Sequence, residues 1–498
     1  MDTKNKSRCV QLQKGAPGTR MTNPSISVSN ESADREGNFS SIYLWLACSA
    51  GALGGLLFGY DWVVIGGAKP FYEIYFHLDS PSIEGWAMSC ALIGCLVGAI
   101  SSGALSNHLG RKRLLTMAAL VFAISSVGTG LAAHFTAFVA WRILGGYAIG
   151  LASGVSPMYI AEISPAHLRG RLVSLNQLAI VVGILLAQVV NWLIARPVPA
   201  GATAHEILMS WNGQWGWRWM FAITAVPSLL FLVASFLVPE SPRWLATKGR
   251  NKQALAVLER LGGRTYAEQV LRDFAAASAT ETNSSFYSEL SSPGMAKVLF
   301  LGVALAVLQQ WCGINVIFNY AQEVFAAAGY QISGILFNIV TTGVVSLAFT
   351  LVALATVDRY GRRFLLISGV TGLTIIYTIL GAFYRLHVQG LPMLVLVLAA
   401  MACYSMSLAP VVWVVIAEIF PNRIRGGAMS IAVTALWIAC FVLTYTFPSM
   451  NAALGTSGVF WTYAAICLAG LLFLYFCLPE TKGKSLEEIE TGLRKGKS

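Results

Sequence analysis

Twelve long apolar runs divide this chain of 498 residues, at about 42–66, 85–105, 113–133, 136–160, 172–195, 217–238, 296–326, 332–356, 364–385, 392–417, 427–449 and 459–478. No other feature narrows the fold so far. A hydrocarbon core about 30 Å thick is crossed by about 20 helical residues rising ~1.5 Å each, so each run is long enough to span it. With 56% apolar residues, only 11% charged residues and a mean hydropathy of +0.64, the surplus cannot be hidden in a soluble core. The expected fold class is an all-α integral membrane protein with twelve transmembrane helices.

Charge orients these helices. A net charge of +11 and a pI near 9.2 could suit nucleic acid, but the basic residues sit in short clusters between apolar runs, so no nucleic-acid partner is expected. With the N-terminus inside, only Lys69, Arg196, Arg218 and Arg385 fall outside, and Arg142 lies within a run. The positive-inside rule then places both termini in the cytoplasm. Residues 1–41 are polar, lack a signal-peptide core and read as a disordered tail, with Met21 offering a second start. The domains expected after it are a six-helix half over 42–238, a cytoplasmic helical linker over 239–295, a second half over 296–478 and a tail over 479–498. The linker carries helical periodicity over 252–261. The nine cysteines form no CxxC pair and read as packing residues, so no metal or cofactor site is expected.

The two halves repeat one another. Ala-Glu162-Ile-Ser-Pro-Ala-His-Leu-Arg169-Gly echoes Ala-Glu418-Ile-Phe-Pro-Asn-Arg-Ile-Arg425-Gly. Asn107-His-Leu-Gly110-Arg111-Lys echoes Asp358-Arg359-Tyr-Gly361-Arg362-Arg, and Pro239-Glu240-Ser echoes Pro479-Glu480-Thr. The shifts between copies are nearly equal, which implies duplication. Two six-helix halves holding substrate between them near mid-membrane is how such a repeat builds a transporter.

Charges inside the runs are the first candidates for function. Asp61 follows Gly51, Gly55 and Gly59 on one helix face, and Arg142 precedes Gly146, Gly150 and Gly154, both stripes allowing close helix packing. An acid and a base this deep are costly alone and economical as a pair. Separating them would swing the carboxylate's affinity for a proton, whereas a permanent pair would only fix the first helix against the fourth.

The motifs together resemble the sugar porter family of the major facilitator superfamily from Gly51 to Gly483. They comprise Gly-Gly-Leu-Leu-Phe-Gly-Tyr60-Asp61, Arg142-Ile-Leu-Gly-Gly, Pro-Glu240-Ser-Pro-Arg243-Trp, Gln309-Gln310-Trp-Cys-Gly-Ile-Asn315, Trp413-Val-Val-Ile-Ala-Glu418 and Pro-Glu480-Thr-Lys-Gly. The resemblance implies the two-half major facilitator fold and proton-coupled symport of a pentose or hexose, xylose- or glucose-like, by alternating access. Asp61 and Arg142 would couple the proton. It implies sugar contacts at Gln177, Gln309, Gln310, Asn315, Asn319, Trp413, Leu436 and Trp437. Amides offer a donor and an acceptor to paired hydroxyls, and a Trp face covers the C–H side of a sugar. The same polar residues could instead hold helices together. Gly313 would loosen the seventh helix beside Asn315, or serve packing. Glu162, Arg169, Glu240, Arg243, Asp358, Arg359, Arg362, Glu418 and Arg425 match the family's cytoplasmic charge network, which latches the halves.

Three positions depart from the family pattern. Asn319 replaces a usual Tyr, Leu436 a Gln or Asn, and Ile184 a Gln, so the identity of the sugar stays open. The alternatives are a proton-independent facilitator, which Asp61 argues against, and a polyol or inositol symporter. ATP-driven transport would need a phosphate loop, and Gly492-Leu-Arg-Lys-Gly496-Lys497-Ser498 has the wrong spacing. No HExxH or GxSxG motif suggests an enzyme. The sequons at Asn30, Asn38 and Asn283 all fall on the expected cytoplasmic side, which favours a bacterial inner membrane, and a monomer is expected.

Overall fold

A computed structural model describes residues 41–199, 201–280, 293–420 and 425–480, and helices with their connecting turns account for all of them. The N-terminal half opens with α1 (Ser41–Phe76), α2 (Pro81–Leu109), α3 (Arg111–Leu131), α4 (Phe135–Ile163) and α5 (Arg169–Ile194). A short α6 (Ala204–Met209) precedes its sixth crossing, which is assembled from pieces: a π-helical turn over Asn212–Gly216, α7 (Trp217–Ala222) and α8 (Ala225–Leu237). A reciprocal cap of Thr203 and Glu206 starts α6, and the Thr203 amide and hydroxyl hold the Glu206 carboxyl below the usual carboxylate range.

The linker holds α9 (Pro242–Thr247) and α10 (Asn251–Thr280). Ser241 accepts the Trp244 amide at the head of α9, and Pro242 fills a first-turn position where no N–H is needed. α10 contains the periodic stretch 252–261 and breaks at Gly263, which adopts φ 84°.

The second half comprises α11 (Pro293–Trp311), α12 (Ile314–Asn319), α13 (Ala321–Ala327), α14 (Ile332–Tyr360), α15 (Arg362–Arg385), α16 (Leu391–Met406), α17 (Leu408–Ile419) and α18 (Arg425–Cys477). The seventh crossing is thus interrupted twice, at Gly313 in the left-handed region (φ 85°) and at Tyr320. The tenth breaks at Ser407 (φ −125°, ψ −86°), and α18 turns at Gly455 (φ 67°). Among the described residues, 11 helical segments are long and apolar enough to cross a membrane, and the last, Gly427–Cys477, has 51 residues. That is about twice the length one crossing needs, so its bend at Gly455 makes the eleventh and twelfth.

One boundary differs usefully from the sequence reading. The first run was expected to end near 66, but α1 continues to Phe76 through Pro70. Membrane helices tolerate proline because neighbouring elements satisfy the freed backbone groups.

Small residues set the helix contacts. A Cβ on Gly146 or Gly150 of α4 would run into the Ala91 and Cys95 carbonyls of α2, so these backbones lie against each other. Gly59 of α1 meets the Ile180 carbonyl of α5 in the same way. Large apolar side chains such as Val226, Leu230, Val233 and Leu237 of α8 face outward and are exposed, the pattern of a surface solvated by lipid. α1 begins and α18 ends on one side of the bundle, called here the tail side, and the α1–α2 and α15–α16 connections lie on the far side.

Candidate substrate and proton site

α1 and α4 bring Asp61 and Arg142 together in the interior. Arg142 Nη1 donates to both Asp61 oxygens, at 2.7 and 2.8 Å, and both side chains are buried. The guanidinium also lies 5.4 Å from the centre of the Phe221 ring, while its Nε finds no acceptor among the described residues. One nitrogen therefore carries the whole contact with the acid. A two-handed guanidinium clamp would be harder to part.

The pair borders a small cavity that Trp62, Met88, Cys95 and Asn319 also line. Asn319 belongs to α12 in the other half, is buried, and its Oδ1 has no partner among the described residues. Acid pair and amide thus open onto one space from opposite halves.

The remaining amides cluster behind Asn319. Asn315 donates from Nδ2 to Gln310 Oε1 at 2.6 Å and lies 3.8 Å from Cys440 Sγ of α18. Gln309 Nε2 donates to the carbonyls of Leu408 and Ala409 at 2.9 and 3.2 Å, bracing the start of α17, and its Oε1 is left over. Leu436 is buried one turn before Cys440 and so shares its face. Trp437 packs on Phe58 (5.8 Å) and Trp62 (6.1 Å) of α1, with its indole N–H unpaired. Unpaired donors and acceptors in a buried site are the chemistry a polyhydroxylated ligand would satisfy. Gln177 and Trp413 are half-buried on α5 and α17, and no described contact ties them to this cluster.

On the tail side the two halves repeat one construction. Gly110 (φ 95°) and Gly361 (φ 89°) precede α3 and α15, and a carboxylate sits on each helix start. Glu240 accepts the amides of Arg111 and Lys112 at 2.9 and 3.0 Å, and Glu480 those of Arg362 and Arg363 at 3.1 and 3.2 Å. Arg111 grips Glu162 with two bonds of 2.9 and 2.8 Å, and Arg362 reaches Glu418 at 3.1 Å. The network expected from the sequence named Arg169 and Arg243 but not Arg111. Arg169 and Arg243 are exposed, and the residue that holds Glu162 is Arg111. Arg359 lies 5.8 Å from the centre of the Tyr360 ring. The side chains of Asp358 and Arg425 lie outside the described residues.

Sequence reasoning missed Trp62, Arg111 and Lys69. Trp62 could have been flagged as Phe58's neighbour one turn on, beside Asp61. Arg111 is the counterpart of Arg362 in the repeat. Lys69 was placed in an outer loop, whereas it is buried within α1 among carboxylates.

Two helical halves meeting around a buried ion pair and unpaired amides define a membrane transporter, not an enzyme. Residues 47–493 match the family described as "Sugar (and other) transporter", and the chain belongs to this sugar porter family of the major facilitator superfamily. It is 38% identical over 483 residues to the D-xylose-proton symporter of Escherichia coli (strain K12), covering 91% of this chain and 96% of the relative. It is also 38% identical over 446 residues to the arabinose-proton symporter of Bacillus subtilis (strain 168), covering 89% and 94%. The partially occluded inward-open structure of the xylose transporter from E. coli superposes with a TM-score of 0.79 at 37% identity, over 89% of this chain and all of that one.

Proposed function

We propose that this protein is a secondary active carrier that moves a monosaccharide, a xylose- or glucose-like pentose or hexose, together with a proton. The observation that carries the reading is the shared cavity, where the Asp61–Arg142 pair and Asn319 of the opposite half face one space. A proton on Asp61 removes the charge that holds Arg142, which loosens α1 from α4. A sugar drawing on Gln309, Gln310, Asn315, Asn319, Trp413 and Trp437 would pull the halves together, with Gln177 contributing from α5. Joined through one cavity, the two events favour the same rearrangement, and coupling follows. That relatives named as proton symporters for xylose and arabinose match nearly end to end supports this choice over a facilitator.

The tail side is then cytoplasmic, supported by the concentration of Lys and Arg there, and the carrier works as a monomer in a bacterial inner membrane. The test is uptake of labelled pentoses, hexoses and polyols into proteoliposomes with and without an imposed pH gradient. Accumulation of a pentose or hexose only with the gradient is expected. Equal uptake in both conditions would identify a facilitator.

A further inference from the structure

Lys69 has 1% of its surface exposed, yet it lies near the far-side end of α1. Its ammonium contacts Glu73 Oε1 at 2.8 Å, Glu84 Oε1 at 2.7 Å and Glu323 Oε1. Glu73 is one turn along α1 and Glu84 is in the first turn of α2, so both travel with Lys69. Glu323 belongs to α13 in the other half. The Tyr320 ring lies 5.5 Å from the ammonium, and Tyr320 is itself anchored to α18 by its hydroxyl on the Thr444 carbonyl (2.6 Å) and its ring against Phe447 (4.3 Å). Close backbone contacts surround this point. A Cβ on Gly66 would meet the Phe318 and Asn319 carbonyls, and one on Gly85 the Tyr445 carbonyl, so α1 and α2 rest directly on α12 and α18. On the tail side, by contrast, the Arg111–Glu162 and Arg362–Glu418 pairs each close within one half.

We propose that Lys69, Glu73, Glu84 and Glu323 form the latch that shuts the far side of the carrier, with Glu323 the one leg that detaches when that side opens. This rests on the alternating-access reading above. An isolated buried ammonium is strongly unfavourable, and removing a charge's only partner is what makes buried ion pairs hard to break. Here the N-terminal half keeps Lys69 paired in both states, because Glu73 and Glu84 never leave it. Only the bond across the halves is lost, and Glu323 emerges into the water that fills the opening. A single-partner bridge would strand a charge on each side. The extra carboxylates make this latch releasable, and Gly66 and Gly85 let the surfaces close flush beneath it.

The test measures how fast Cys95, which lines the cavity beside Asp61, reacts with an impermeant thiol reagent from each face of right-side-out and inside-out vesicles, read by peptide mass spectrometry. Cys312, buried in the second half, is the internal control for folding. No sugar or pH gradient is present, so failure of the coupling reading cannot move this result. Glu323→Gln is expected to speed labelling from the face that Lys69 occupies on the order of tenfold and to slow it from the other, with Cys312 still protected. Lys69→Glu should open that face further, and adding Glu323→Lys should restore closure by returning one ammonium among three carboxylates. Unchanged labelling in Glu323→Gln, or failure of the charge swap to restore closure, would overturn the latch.

Discussion

Asp61 and Arg142 illustrate how much one contact geometry decides. Because a single guanidinium nitrogen serves both carboxylate oxygens, an amide at position 61 can still accept that bond while losing the ability to carry a proton. Asp61→Asn is therefore expected to fold and to exchange sugar across proteoliposome membranes, but not to concentrate it under a pH gradient. Persistent accumulation would reduce the pair to a structural role. The family departures can be tested in the same preparation. Asn319 lies one turn beyond Asn315 on α12, and Leu436 one turn before Cys440, the residue Asn315 touches, so the two flank one amide from opposite elements. An unmet hydroxyl in a dry site costs roughly 1–3 kcal/mol, about one to two decades in affinity. Leu436→Gln should tighten xylose or glucose binding by about that factor, and adding Asn319→Tyr should alter the gain non-additively in equilibrium binding. At this scale the sequence exposes Asp61 and Arg142 because charge inside an apolar run is rare. It hides Lys69, whose decisive partner is 254 positions away and whose apolar run stops three residues earlier.

Among the elements, α3 and α15 depend on carboxylates from distant segments. Glu240 and Glu480 each satisfy two amides that a helix start leaves open, and they add negative charge where the helix dipole favours it. Glu480→Ala should destabilise the protein by about 1–2 kcal/mol, seen as a lower thermal midpoint in detergent, and Glu480→Gln by less. The duplicated Pro-Glu motif was legible as a repeat. Its capping role was not, since the helix starts it serves lie well over a hundred residues back in the chain, at separations of 129 and 118. Helix existence followed from the apolar runs because lipid demands length and apolarity, whereas breaks did not. Gly313 could be suspected, but Ser407 carries no backbone signal of its own and is set by packing, where Gln309 braces Leu408 and Ala409.

At the scale of the molecule, the orientation of the bundle is open to direct measurement. Cysteines introduced in the 239–293 segment or the C-terminal tail should react only with reagents that reach the cytoplasm, and labelling from outside intact cells would invert the assignment. The pair of carboxylate caps also bears on how the chain is made. Glu240 follows the last helix of the first half, and Glu480 the last helix of the second, and each reaches back to a helix start of its own half. During synthesis the first half can therefore fasten itself as soon as residue 240 clears the ribosome, before any helix of the second half exists. The second half fastens only when translation is almost over. A ribosome that stalls in the linker would leave behind a finished six-helix unit, and one that stalls a few residues short of Glu480 would leave a bundle with its last clasp undone.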